Sequence, residues 1–145
     1  LPKLSFCQVS KGLIHNQQNG ENHMSIERND LIIVMTKGIY DEVSSVGLTL
    51  ANGALTAEMN VGLFLTSSAI DLVRRDGVNH THVHPMEPLK ALLHDFIDRG
   101  GKVWACPPCT SARGYDQSSL IDGVEIQGAS VIFARIKAGA ASLTF

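Results

Sequence analysis

Apolar residues fall along this chain in blocks of two kinds. Short unbroken apolar runs stand at residues 31–36, 61–66 and 103–105, with a weaker run at 124–126 and a last one at 142–145. Runs of this length read as strands, and the unbroken ones suit a parallel sheet covered on both faces. Between them the period lengthens. Over 42–58, Val43, Val46, Leu50, Ala54 and Ala57 recur at three- and four-residue steps and predict a helix with one buried stripe. Its small residues Gly47, Ala51, Gly53 and Ala54 permit close packing on the sheet, at some cost in helix propensity.

A short helix is expected at 69–75, capped by Ser67 or Ser68 and ended by Gly77. Pro85 and Pro88 frame the next helix, whose Leu89, Leu92, Leu93, Phe96 and Ile97 make the clearest amphipathic stripe in the chain. Asp95 and Arg99 stand four apart on its exposed side, and Gly100–Gly101 stops it. After Gly114, Asp116 or Ser118 caps a short helix through Ile121, and a helix over 128–138 stacks Ile132 on Ile136. Strands alternating with helices predict an α/β fold, a mostly parallel sheet of about five strands with helices on both faces. The strand order is left open.

Composition narrows the setting. With 145 residues, a net charge of −2 and no Lys/Arg run, the chain reads as one ordinary domain without a nucleic-acid surface. No apolar stretch approaches the roughly 20 residues of a membrane span. No charged segment followed by an apolar one opens the chain, so a cytoplasmic protein is expected. Residues 1–23 are polar and aperiodic. They read as a leader, a cloning remnant or a flexible arm, with Met24 as the natural start and the α/β domain at 24–145. An arm packing on a neighbouring subunit is the competing view. Cys7 falls in that segment and is given no role.

The chemistry centres on Cys106-Pro107-Pro108-Cys109, where the third strand ends and a helix is expected to begin. Proline suits the first helical position. A thiol at a helix start sits among unpaired N–H groups at the positive end of the dipole, which favours the reactive thiolate. In a parallel sheet, ligands bind at the C-terminal strand ends. The loops 37–41, 66–68 and 106–109 all arrive there. Lys37, Tyr40, Ser67, Pro107 and Arg113 are the candidate substrate contacts beside catalytic Cys106 and Cys109. Arg113 reaches the thiols only by folding back. The cysteines fit a dithiol–disulfide couple, a sulfur acceptor or purely structural thiols.

His80, His82 and His84 alternate and point one way if extended, but they lack a standard ligand spacing with the cysteines. Neither zinc nor another metal is expected. The Gly-x-Gly-x-x-Gly fingerprint and the Gly-x-Ser-x-Gly elbow are also missing, so no cofactor is expected and the serines read as caps.

The stretch 100–106, then Ala112-Arg113-Gly114, Leu120-Ile121-Asp122-Gly123-Val124-Glu125-Ile126 and Leu143-Thr144-Phe145, resembles the DsrE/DsrF-like sulfur-relay family. Its YchN-type branch is nearest, through the Cys-x-x-Cys-Thr, the Arg-Gly and the Leu-Ile-Asp-Gly-Val-Glu-Ile run. The resemblance covers 31–145 and is most specific in the last third. It implies a three-layer α/β/α fold of flavodoxin/Rossmann-like topology and a homo-oligomer, trimer or hexamer. It also implies a persulfide carried on the cysteine that matches Cys106, with sulfur donor and acceptor proteins as partners. The expected function is sulfur carriage of sulfurtransferase type. A dithiol oxidoreductase or redox sensor, and a non-catalytic oligomeric binding module, are the alternatives.

Overall fold

The computed structural model describes residues 30–79 and 81–145. Cys7, Met24, His80 and the expected N-terminal arm lie outside them. Among the described residues five strands form, each within a residue of the apolar run that predicts it: β1 (Asp30–Met35), β2 (Asn60–Leu65), β3 (Lys102–Ala105), β4 (Val124–Ile126) and β5 (Ala141–Thr144). All pair in parallel, in the order β4-β3-β2-β1-β5. The order reverses at β1, which places the topological switch point between β1 and β5.

Alternate residues of the strands face opposite layers. Leu31, Ile33, Met35, Leu63, Leu65, Val103 and Ala105 join the larger core with α1 (Glu42–Thr56) and α2 (Leu89–Asp98). Ile32, Phe64 and Trp104 join a smaller core under α4 (Ser130–Lys137), which contributes Ile132. The architecture is therefore three-layered. Within the smaller core the Trp104 ring lies across Gly62, and the Arg135 guanidinium stacks 4.9 Å from the ring centroid.

Several expectations need correction. In α1 the buried face is Ser44, Ser45, Gly47, Leu48, Ala51 and Asn52, while Val46 and Leu50 are exposed. Small side chains face inward because the helix lies close to the sheet, where Gly47 meets the tips of Met35 and Phe145. Ser44 is satisfied there by donating to the carbonyls of Lys37 and Gly38, both at 2.8 Å. Asp41 caps this helix by accepting from the Val43 amide at 3.0 Å.

The short helix expected at 69–75 is a 3₁₀ segment at Ser67–Val73 that ends well before Gly77. Neither serine caps it. Thr66 holds the cap position, and the Ser68 hydroxyl instead donates to the Thr36 carbonyl at 3.0 Å. In α4, Ile132 is buried but Ile136 is partly exposed. The Asp95–Arg99 pair forms as expected at 3.1 Å. Gly100 ends α2 at φ +91°, in the left-handed region that glycine occupies freely.

Candidate functional site

The three loops expected at the C-terminal sheet edge do arrive side by side, because β3, β2 and β1 are neighbours in the parallel order. The ladder runs on into them. The Thr66 amide donates to the Met35 carbonyl at 3.0 Å, and the Cys106 amide to the Leu65 carbonyl at 2.9 Å.

Beyond β3 the chain enters α3 (Pro107–Ser111), with Cys106 at its cap position. The turn forms because Pro107 and Pro108 fix φ at helical values. Those prolines also remove the amides that would otherwise face the Cys106 sulfur. The next two, from Cys109 and Thr110, are spent on the Cys106 carbonyl at 3.1 and 3.0 Å. Cys106 makes no side-chain cap bond. The amide-rich setting expected for Cys106 is therefore absent from this five-residue helix.

The donors gather instead on Cys109. Its sulfur lies 3.3 Å from the Thr66 hydroxyl and 3.2 Å from the Ser67 amide. Ser67 presents that amide from the left-handed region, at φ +53°, a conformation costly for a residue with a Cβ. The Thr66 hydroxyl chiefly holds the Cys109 thiol below the ordinary range. Partial burial opposes it, while the Ser67 amide, the Cys106 thiol and the Arg113 charge add to it. Both cysteines are free and half-buried.

Arg113 does fold back. Its Nη1 donates to the Cys109 carbonyl at 3.2 Å, and its Nε stands 3.6 Å from Asp71 Oδ1. Asp71 also accepts from the Tyr115 hydroxyl at 3.0 Å. Burial, and then that bond, raise the Tyr115 phenol above its usual range. Lys37 and Tyr40 line a neighbouring cleft of about 400 Å³ with Gly38, Ser68 and Asp71, and neither cysteine is part of its lining. Gly38 lets the two loops close on each other there, since a Cβ would meet the Ser68 carbonyl oxygen at 2.9 Å.

Thus Ser67 meets the Cys109 sulfur, Arg113 the Cys109 carbonyl, and Pro107 opens the helix after Cys106, whereas Lys37 and Tyr40 belong to the cleft beside it. Sequence reasoning brought the loop 66–68 to this edge but gave Thr66 no role, and it missed Asp71 and Tyr115. For Thr66 a signal existed, since it closes the apolar run at 61–66. His82 and His84 stand with ring centroids 6.1 Å apart, and His82 Nε2 is 2.7 Å from the Met86 carbonyl. Among the described residues no three His, Cys, Asp or Glu side chains come together as metal ligands. No helix among them is long and apolar enough to cross a membrane.

Arg113 provides a test of this electrostatic picture. Replacing it with glutamine is expected to slow iodoacetamide alkylation of Cys109 at neutral pH by roughly two- to fivefold, the range for a screened, partly exposed charge. The sign also fixes the pH dependence of stability. A thiol depressed in the folded state leaves the unfolded chain binding more protons, so its contribution is present above the ordinary thiol range. It is lost as pH falls through the lowered value. Alkylation that is unchanged in the variant would remove Arg113 from this account.

A parallel, doubly covered sheet with a Cys-x-x-Cys at the C-terminal end of a central strand defines an α/β protein with a dithiol site. The chain belongs to the DsrE/DsrF-like family, whose sequence model matches residues 29–145. It is similar to the uncharacterized protein MK0008 of Methanopyrus kandleri, 31% identical over 97 residues that span 66% of this chain and 77% of that protein. Among solved structures it resembles the YchN protein of E. coli, with a TM-score of 0.68 and 26% identity over 80% of this chain and 98% of that one. MTH1491 of Methanobacterium thermoautotrophicum, at 19% identity and a TM-score of 0.61 over 80% of this chain and 97% of that one, shares the fold.

Proposed function

We propose that the protein is a cytoplasmic sulfur carrier that takes sulfane sulfur from a donor persulfide, holds it as a persulfide on Cys106 and passes it to an acceptor thiol. The observation that carries this reading is the thiol pair at the C-terminal edge of the sheet, with hydroxyl and amide donors on one sulfur. Membership of a family associated with sulfur relay supports it. In loading, the S–S bond of the donor breaks, a new one forms, and the donor leaves as a thiolate. Unloading repeats the exchange with the acceptor as nucleophile. No net oxidation occurs in either step.

A homo-oligomer, trimer or hexamer, completes the proposal. Among the described residues β5 is an edge strand whose four residues are all exposed, and Val46, Leu50, Phe133, Ile136 and Leu143 expose apolar surface on elements of both helix layers and on β5. Exposed apolar groups and a free sheet edge are what a partner surface covers.

One observation favours a second reading. The Cys106 thiol is among the groups that hold Cys109 below the ordinary thiol range, and the Cys-x-x-Cys spacing is one that a dithiol oxidoreductase uses. Intact-mass spectrometry separates the two. After incubation with glutathione persulfide in a Cys7→Ser background, the parent is expected to gain one sulfur atom, and the Cys106→Ser/Cys109→Ser double variant none. A parent that loses two hydrogens and gains no sulfur would favour the oxidoreductase.

A further inference from the structure

The two cysteines differ in what surrounds them. Cys109 has the Thr66 hydroxyl at 3.3 Å and the Ser67 amide at 3.2 Å on its sulfur. Cys106 precedes two prolines, and its carbonyl takes the first free amides of α3. Building on the carrier reading above, we infer that Cys109, whose sulfur sits between the Thr66 hydroxyl and the Ser67 amide, makes the attack on the donor, while Cys106 receives the sulfur from Cys109 and stores it.

The cup around Cys109 belongs to a different strand from the sulfur it serves. Thr66 and Ser67 follow β2, whereas Cys109 follows β3, and the β2–β3 register brings them together. Ser67 holds a left-handed backbone, φ +53°, while its amide points at the sulfur. Strain of this kind persists only where surrounding structure imposes it, and it concentrates at functional sites. The thiol is depressed in the same direction, with the Thr66 hydroxyl as the leading cause.

The sequence of bonds follows. The Cys109 thiolate attacks the outer sulfur of R–S–SH. The donor S–S bond breaks, Cys109–S–SH forms, and R–S⁻ departs to take a proton from water. Cys106 then gives its proton to solvent and attacks that outer sulfur. Cys106–S–SH forms and the Cys109 thiolate returns to its donors. The less basic thiolate is the better leaving group, so the cup that primes Cys109 also drives sulfur off it and onto Cys106. Thr66 acts here as a positioning residue, through the sulfur it holds.

Loading from glutathione persulfide, followed by intact-mass and peptide mapping in a Cys7→Ser background, tests this order. Cys109→Ser is expected to slow loading about tenfold or more, in proportion to lost thiolate character. Cys106→Ser is expected to take up sulfur and to retain all of it on Cys109, with none passed on within the pair. Thr66→Val is expected to slow loading and move its pH profile upward, and Thr66→Ser, which keeps a hydroxyl, to restore both. Parent-like loading of Cys109→Ser with the sulfur on Cys106 overturns the inference and leaves the carrier reading standing. A parent that takes up no sulfur at all overturns the carrier reading itself.

Discussion

Gly62→Ala is expected to lower stability by roughly 3 kcal/mol, the upper range for overpacking a filled core. A Cβ at position 62 would stand 2.3 Å from Cζ3 of Trp104 and 2.7 Å from Cη2. Trp104 is 4% exposed, so its ring is packed over nearly all of its surface. Moving it also disturbs Phe64 and Ile132 in the smaller core, and the Arg135 stack above it. Alanine restricts the unfolded chain and thereby favours folding by about 0.4–1 kcal/mol where room exists. Here the clash exceeds that gain. A double-mutant cycle isolates the cause. In a Trp104→Leu background the alanine is expected to cost under about 1 kcal/mol, because contacting residues couple strongly. Equal losses in both backgrounds, measured by denaturant unfolding, would show that the ring is not responsible.

The second large effect lies in the other layer. Phe96→Ala is expected to cost about 4 kcal/mol, within the range for truncating a buried phenylalanine. Phe96 is fully buried in α2, and its ring lies over Gly101, where a Cβ would meet Cε1 at 2.3 Å. That contact seats the Gly100–Gly101 turn from which β3 departs, and β3 carries the cysteines at its far end. The variant should therefore also broaden the spread of thiol reactivities. A loss below about 1 kcal/mol in the same unfolding assay would mean that the site collapses around the cavity, contrary to this account.

Much of the scaffold was legible in the sequence, because buried strands announce themselves by apolar content alone. The runs at 31–36, 61–66 and 103–105 needed nothing else, and the parallel arrangement followed from their alternation with helices. The buried face of α1 was misread for a physical reason. Hydrophobicity marks Val46 and Leu50 as interior, but the distance between helix and sheet decides which residues fit beneath it. Ser44, Gly47 and Ala51 fit. A periodicity argument weighs transfer free energy and has no access to that spacing.

Of the candidate site, the sequence singles out the cysteines and Arg113 through local motif chemistry. The electrostatics of the site were not legible. The hydroxyl and amide that polarise Cys109 come from Thr66 and Ser67, about 40 residues earlier. They arrive only because Leu65 pairs with Ala105. A single-residue change of that register would point the loops elsewhere. The left-handed turn at Ser67 was equally hidden, since serine carries no preference for it, and Pro107 and Pro108 seemed to favour Cys106 when in fact they strip it of donors.

That Ser67 amide has a practical value of its own. It is a proton bound to nitrogen, shared with a sulfur whose charge changes with every chemical event at the pair. In a heteronuclear magnetic-resonance spectrum its signal would move as the sulfur is protonated, sulfurated or oxidised. The protein thus comes with its own label, read without attaching anything to either thiol.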